Sequence, residues 1–229
     1  MRTVFFGTPD LAVPIVDAVH ARHGVVAVVC QPDRPKGRSG RPAPPPVKVW
    51  AAERGIPVLQ PETPNTEAFV AELRELRPDM CAVAAYGRLV RQVLLDIPPL
   101  GWLNVHPSLL PRWRGPSPIQ TSILEGDKET GVTIMRMTLE MDSGELLEQR
   151  RTPVFPEETA EELTGRLAAM AADMMPAAMD RVLDGTAVFT PQDPERVTYC
   201  KMFRKSHGFI RWAGPAWRIH NRVRACVPW

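Results

Sequence analysis

Short apolar runs alternate with amphipathic stretches along the first third of the chain, and this alternation constrains the fold more than any other feature. Residues 2–6 and 25–30 have the β-branched and aromatic composition of strands, and residues 11–20 between them have the pattern of a helix. The order repeats with a helix over 67–76 and a strand over 79–85. This alternation predicts an α/β fold, in which helices cover both faces of a doubly wound, mostly parallel sheet.

Several functional classes are disfavoured by what the sequence lacks. No apolar run approaches the roughly 18 residues of a membrane helix, and the apolar N-terminal stretch is too short for a signal peptide. The five histidines lack metal-ligand spacing, so we expect no metal. Four scattered cysteines favour free thiols: Cys30, Cys81, Cys200 and Cys226. We therefore expect a cytoplasmic, monomeric protein without a membrane partner.

Two polar residues at the end of a predicted buried strand carry the strongest chemical signal. Asn104 and His106 are two residues apart, so their side chains leave the same face of a strand. A carboxamide N–H can hold a carbonyl oxygen that becomes negative, and an imidazole can move the accompanying proton. A carboxylate such as Asp142 would fix the imidazole tautomer and stabilise its charged form. A core histidine and a turn aspartate are the structural alternatives for each residue taken alone.

Two stretches carry many cations and no acids. Seven Lys/Arg and no Asp/Glu lie between residues 200 and 229. The second stretch belongs to a long, proline-rich loop over residues 31–46, and loops of this length inside a domain are usually functional. Its cations include Arg34, Lys36, Arg38 and Arg41. They favour a polyanionic partner, although two solvated surface patches remain the alternative.

Four segments together resemble one known family. They are Phe6-Gly7-Thr8-Pro9-Asp10, Gln31-Pro32-Asp33-Arg34-Pro35, the segment from Asn104 to Gly115, and Met141-Asp142-Ser143-Gly144. Over nearly its whole length the chain resembles the formyltransferases that use 10-formyltetrahydrofolate, which implies their Rossmann-like fold. The Asn104 segment is typical of the family at large, whereas the loop after Gln31 is similar to that of members acting on tRNA.

The resemblance implies roles for the site residues. Asn104 would hold the oxygen of the tetrahedral intermediate, His106 would assist proton transfer from the attacking amine, and Asp142 would orient His106. Tetrahydrofolate would lie in a cleft that contacts it largely through main-chain groups. The residues implied for this cleft are Tyr86, Gly87, Arg88, Val90, Ser108, Leu109, Leu110, Pro111, Met141 and Gly144.

The implied acceptor is the α-amino group of an initiator methionyl-tRNA. Its acceptor end would meet the basic loop, where cations and a flexible backbone suit phosphates and an unpaired strand. Three alternatives stay open at this point. They are transfer to a small amine such as a sugar nucleotide or glycinamide ribonucleotide, hydrolysis of 10-formyltetrahydrofolate, and a catalytically silent folate- or RNA-binding module.

The C-terminal part departs from the family pattern. The family continues into a β-barrel domain that helps to hold the tRNA, whereas this sequence stops at Trp229. We therefore expect a catalytic domain over residues 1–190, and a linker with the start of a truncated C-terminal region over residues 191–229. A C-terminal helix in this region would leave the apolar side chains of Trp217, Ile219 and Val223 uncovered.

Overall fold

The computed structural model describes residues 1–35, 40 and 42–228. The strands of this part are β1 (Thr3–Gly7), β2 (Ala27–Val29), β3 (Arg34–Pro35), β4 (Pro42–Ala43), β5 (Val58–Leu59), β6 (Met80–Ala84), β7 (Trp102–His106), β8 (Glu129–Arg136) and β9 (Leu146–Pro153). The α-helices are α1 (Ala12–His23), α2 (Pro46–Ala52), α3 (Glu67–Glu75), α4 (Gln92–Leu95), α5 (Pro118–Glu125), α6 (Ala160–Leu183) and α7 (Ala216–Cys226).

Seven strands form one sheet in the order β5-β2-β1-β6-β7-β8-β9. The first five strands of this order run parallel, and β8 and β9 are antiparallel to their neighbours. The predicted doubly wound, mostly parallel sheet is confirmed. Part of the predicted irregular loop is instead a short antiparallel hairpin of β3 and β4.

Helices cover both faces of the sheet because side chains alternate along each strand. Phe5 packs in a core with residues of α1 and α6, and Phe6 packs on the opposite face with Phe69 of α3. On β7, Leu103 and Val105 belong to the α1/α6 core. Every second residue of β7 must therefore face the other side of the sheet, and this positions the catalytic candidates.

The C-terminal helix α7 docks through both polar and apolar contacts, and Ala225 on it belongs to the α1/α6 core. The guanidinium of Arg224 is buried, and it donates hydrogen bonds to the carbonyl oxygens of Phe155 and Glu158 and to Asn221 Oδ1. The expected exposure of apolar side chains on α7 is confirmed for Trp217, which is 52% exposed, and for Val223, at 49%. It is wrong for Ile219, which is half-buried.

Candidate active site

The site lies at the carboxyl ends of the parallel strands, where ligands bind in open α/β sheets. Three of these ends are tied together by side chains. The Thr8 hydroxyl, after β1, donates to the carbonyl oxygen of Tyr86, after β6. Gln31, after β2, donates to the same oxygen through Nε2 at 2.9 Å. The strand ends therefore form one rigid rim.

Asn104 and His106 occupy alternate positions on β7, so both face the side opposite the α1/α6 core. The two side chains differ in their surroundings. His106 is only 4% exposed, whereas Asn104 is half-buried. Within the described part of the chain, the Asn104 carboxamide has no hydrogen-bond partner. Its donors are thus free to bind an oxygen brought by a ligand.

The protonation pattern of His106 follows from its neighbours. Nε2 lies 2.9 Å from the carbonyl oxygen of Trp113, which can only accept, so Nε2 carries the proton of this hydrogen bond. Nδ1 lies 3.7 Å from Asp142 Oδ1. In the neutral ring Nδ1 is therefore the free base, and the Asp142 carboxylate is positioned to stabilise the ring once Nδ1 is protonated.

Asp142 is held by the same short segment that holds His106. Its Oδ2 accepts a hydrogen bond from the main-chain N–H of Gly115 at 2.8 Å. The anchor of His106 is the carbonyl of Trp113, two residues earlier. One stretch of main chain, residues 113–115, thus fixes both partners of the pair.

Strained backbone conformations concentrate around this pair. Trp113 has φ +63° and Asp142 has φ +52°, both in the left-handed region that non-glycine residues rarely adopt. Ala85, directly after β6, has φ +51°. Such conformations persist where surrounding contacts enforce them, and they cluster at functional sites.

The residues implied for folate fall into two groups. Tyr86, Val90, Ser108 and Leu110 are at most 3% exposed, and Gly144 is also buried. In this conformation these residues offer a ligand almost no surface, main chain included. The others have partly or fully exposed surfaces: Gly87, Arg88, Leu109, Pro111 and Met141.

The buried side chains of Tyr86 and Ser108 make contacts within the protein. The Tyr86 ring packs edge-to-face on Phe6, with centroids 5.3 Å apart, and burial raises the pKa of its hydroxyl to about 12. The Ser108 hydroxyl donates to the carbonyl of Arg112 at 2.6 Å and thereby fixes the turn after β7. Both are structural supports of the cleft wall.

The basic loop is described at its two ends. Arg34 lies exposed on β3, whereas Lys36, Arg38 and Arg41 lie outside the described residues. At the base of the loop, Lys48 Nζ lies 2.8 Å from Asp33 Oδ1. Hydrogen bonds from Gln60 and then Lys48 lower the pKa of the Asp33 carboxyl. This pair ties the loop to α2.

Residues 190–203 fall almost wholly within the predicted linker region, but they run along residues 111–117, which follow β7. Thr198 donates through its main-chain N–H to the Pro111 carbonyl and accepts at its own carbonyl from Arg114. Gln192 donates through Nε2 to the carbonyl oxygens of Asp142 and Gly144, both at 2.8 Å. We call residues 190–203 the strap. No spacing in the sequence reveals it, because its partners are mostly main-chain atoms.

Two further observations concern metals and membranes. Among the described residues, no group of three His, Cys, Asp or Glu side chains is placed to hold a metal ion. No helix in the described ranges has the length and apolar character needed to cross a membrane.

Comparison with known proteins places this geometry in a family. A family model described as formyl transferase matches residues 1–179. The methionyl-tRNA formyltransferase of Roseiflexus castenholzii is 47% identical over 231 residues, which cover 100% of this chain and 74% of the relative. That of Mycolicibacterium gilvum is 45% identical over 230 residues, with the same coverage of 100% and 74%.

Solved structures support the fold. The N-formyltransferase from Helicobacter canadensis, in complex with folinic acid and dTDP-3-aminofucose, superposes with a TM-score of 0.73 at 20% identity, covering 98% of this chain and 80% of its own. Glycinamide ribonucleotide transformylase 1 from Symbiobacterium toebii gives 0.67 at 25% identity, covering 84% and 94%. This chain therefore belongs to the formyl transferase family, as a relative of the methionyl-tRNA formyltransferases.

Proposed function

We propose that the chain transfers a formyl group from 10-formyltetrahydrofolate to the α-amino group of methionine on an initiator tRNA. The observation that carries the proposal is that Asn104 and His106 share one face of β7, and that Asp142, in the loop between β8 and β9, faces His106. The amine attacks the formyl carbon of the donor. The bond from that carbon to N10 of the folate then breaks, and N10 takes up a proton as tetrahydrofolate leaves. A reaction of this kind needs a donor to the formyl oxygen and a base for the amine proton.

Each of the three side chains supports one part of this reaction. The Asn104 carboxamide, free of protein partners among the described residues, can donate to the formyl oxygen as it becomes negative. His106 Nδ1 is the ring atom free to take the proton that the amine loses. Asp142 then faces a positively charged ring across 3.7 Å and stabilises it.

The residues around the site fit a formylated folate. Arg88 lies in the segment after β6, and its Nε is buried without a hydrogen-bond partner in the described part of the chain. A folate offers carbonyl, ring-nitrogen and carboxylate acceptors for such a donor. Gly87 has φ +75°, and a Cβ there would lie 2.5 Å from Gln31 Nε2, so the main chain needs a glycine at this point of the rim.

Methionyl-tRNA is the acceptor that the comparisons favour. Relatives of that name match the whole chain at 45–47% identity, whereas the likeness to the N-formyltransferase from Helicobacter canadensis, at 20% identity, concerns the fold alone. The basic loop suits the acceptor end of a tRNA. An enzyme with this substrate works in the cytoplasm, and we extend that location to this chain.

The test is a parallel transfer assay with the purified chain. Labelled 10-formyltetrahydrofolate is offered with methionyl-initiator tRNA, with an amino-sugar nucleotide, and with glycinamide ribonucleotide. The proposal expects formylation of the tRNA and none of the small amines. Preferential formylation of a small amine would contradict it, and release of formate with every acceptor would favour a hydrolase.

A further inference from the structure

We propose that Gln192, on the strap, is a positioning residue for the reaction, and that it acts by fixing the loop that carries Asp142. This inference rests on the formyl-transfer function proposed above. Gln192 lies beyond residues 1–179, which the family model matches. Its side chain is half-buried, and both its amide nitrogen and its amide oxygen are engaged.

The orientation of the Gln192 amide follows from its partners. Nε2 faces the carbonyl oxygens of Asp142 and Gly144, which can only accept. Oε1 faces Arg114 Nε at 3.0 Å, which can only donate. If the amide were flipped, its oxygen would face two carbonyl oxygens and its nitrogen would face the Arg114 donor. The amide therefore has one stable orientation.

The Asp142 loop needs this support because its conformation is uncommon. At φ +52°, the Asp142 backbone lies in the left-handed region, and the Gln192 bond to its carbonyl fixes the peptide plane that follows. Gly144 is pressed against β8, where an added Cβ would lie within 1.8 Å of the Arg136 carbonyl oxygen. Gln192 bridges these two carbonyls and thus holds the turn between them.

The consequence reaches His106 through Asp142. Gly115 fixes one carboxylate oxygen, and Gln192 fixes the main chain to which the carboxylate is attached. The other oxygen, Oδ1, is then held at 3.7 Å from His106 Nδ1. Arg114, 7% exposed, anchors the far side of the amide. Without Gln192, the Asp142 carboxylate keeps its hydrogen bond from Gly115, but the Asp142 carbonyl loses the one from Gln192.

The first experiment measures steady-state formyl transfer to methionyl-tRNA by the Gln192→Ala variant. We expect kcat to fall about tenfold, since Gln192 supports a proton transfer in the transition state, and the KM for tRNA to stay unchanged. The KM for the donor should rise by less than kcat falls, because the same loop carries Met141 and Gly144 of the implied folate cleft. Gln92→Ala, on the exposed surface of α4, is the matched control, and its kcat should equal that of the unaltered chain. An unchanged kcat for Gln192→Ala, or a loss confined to KM, would overturn the inference.

A second comparison separates positioning from general support of the fold. The Asp142→Asn variant is assayed with and without Gln192→Ala. If Gln192 acts through Asp142, the double variant is no slower than Asp142→Asn alone. If the double variant were slower than Asp142→Asn by the same factor that Gln192→Ala alone causes, the inference would be overturned. In Gln192→Glu, one carboxylate oxygen keeps the contact with Arg114, and the other faces two carbonyl oxygens without a proton to donate. Its kcat should therefore fall like that of Gln192→Ala, and a retained kcat would overturn the inference.

A spectroscopic readout keeps the inference testable even if methionyl-tRNA is not the acceptor. The ring resonances of His106, assigned by comparison with His106→Ala, are recorded by NMR without substrates. We expect them to move in Gln192→Ala and not in Gln92→Ala. An unaltered chain that fails to formylate tRNA would refute the proposed function, whereas unmoved resonances would refute the role of Gln192.

Discussion

His106 and Asp142 face each other across 3.7 Å, slightly more than a hydrogen bond, and each is anchored on its far side by main chain. The gap leaves Nδ1 available as a base while the carboxylate stays near enough to stabilise the charge that forms. This arrangement suits the proton transfer proposed above.

Removal of any member of the catalytic trio should abolish most activity without unfolding the chain. We expect His106→Ala, Asn104→Ala and Asp142→Ala each to lower kcat/KM by roughly 10²-fold or more. The exposed His220 provides the control variant, His220→Ala, which should retain full activity. Near-normal transfer by His106→Ala, with an unchanged Tm, would contradict the mechanism.

The basic loop should act on tRNA and not on folate. We expect the double variant Arg38→Ala/Arg41→Ala to raise the KM for tRNA, and to reduce the slope of log affinity against log salt by about one for each phosphate that is no longer bound. Folate affinity should stay the same. The surface cation Arg22 offers a control in Arg22→Ala. Equal losses of tRNA affinity and folate affinity would indicate that the loop belongs to the folate site.

Two glycine-to-alanine substitutions should have contrasting effects: Gly144→Ala should lower activity, and Gly165→Ala should raise stability. Gly144→Ala places a Cβ against the Arg136 carbonyl oxygen, so the Asp142 loop must shift and kcat should fall. At Gly165, exposed within α6, nothing lies within 4 Å of an added Cβ. Gly165→Ala should therefore stabilise the chain by about 0.5–1 kcal/mol, because alanine favours the helix. Thermal unfolding and the transfer assay on both variants check this contrast.

The capping box of α6 should give a pH-dependent contribution to stability. Hydrogen bonds from the Thr159 main chain and then its side chain lower the pKa of Glu162 from 4.5. A lowered folded-state pKa means stability that is present above the unfolded value and lost as pH falls through the folded value. We expect Glu162→Gln to reduce this loss of Tm below pH 4.5. Identical pH profiles for the two proteins would contradict the assignment.

Arg224 should decide whether α7 stays docked. Arg224→Met leaves the carbonyl oxygen of buried Glu158 without its side-chain donor, at a cost of about 1–3 kcal/mol, whereas the Phe155 carbonyl keeps the Glu158 N–H as a donor. We expect faster hydrogen exchange in α7 and unchanged exchange in α6. Arg218→Ala, at an exposed position of the same helix, is the control. Unchanged exchange of α7 in Arg224→Met would show that other interactions hold it.

The sequence predicts those features that rest on local pattern. The parallel sheet follows from alternating apolar segments, and the shared face of Asn104 and His106 follows from the two-residue repeat of a strand. The role of Gln192 escapes such reasoning, since its partners are carbonyl oxygens that every residue carries. The roles in folate and tRNA binding, and the domain boundary at residue 190, stay predictions.

Main-chain anchoring of the catalytic pair bears on how this site can vary over evolution. The group that holds His106 is a main-chain carbonyl, so it stays available with any side chain at position 113 that accepts the left-handed conformation. Gly115 has no such latitude, because an added Cβ would lie 2.3 Å from the Cys200 carbonyl oxygen on the strap. Among distant sequences, this glycine should therefore be a better marker of the site than the tryptophan beside it.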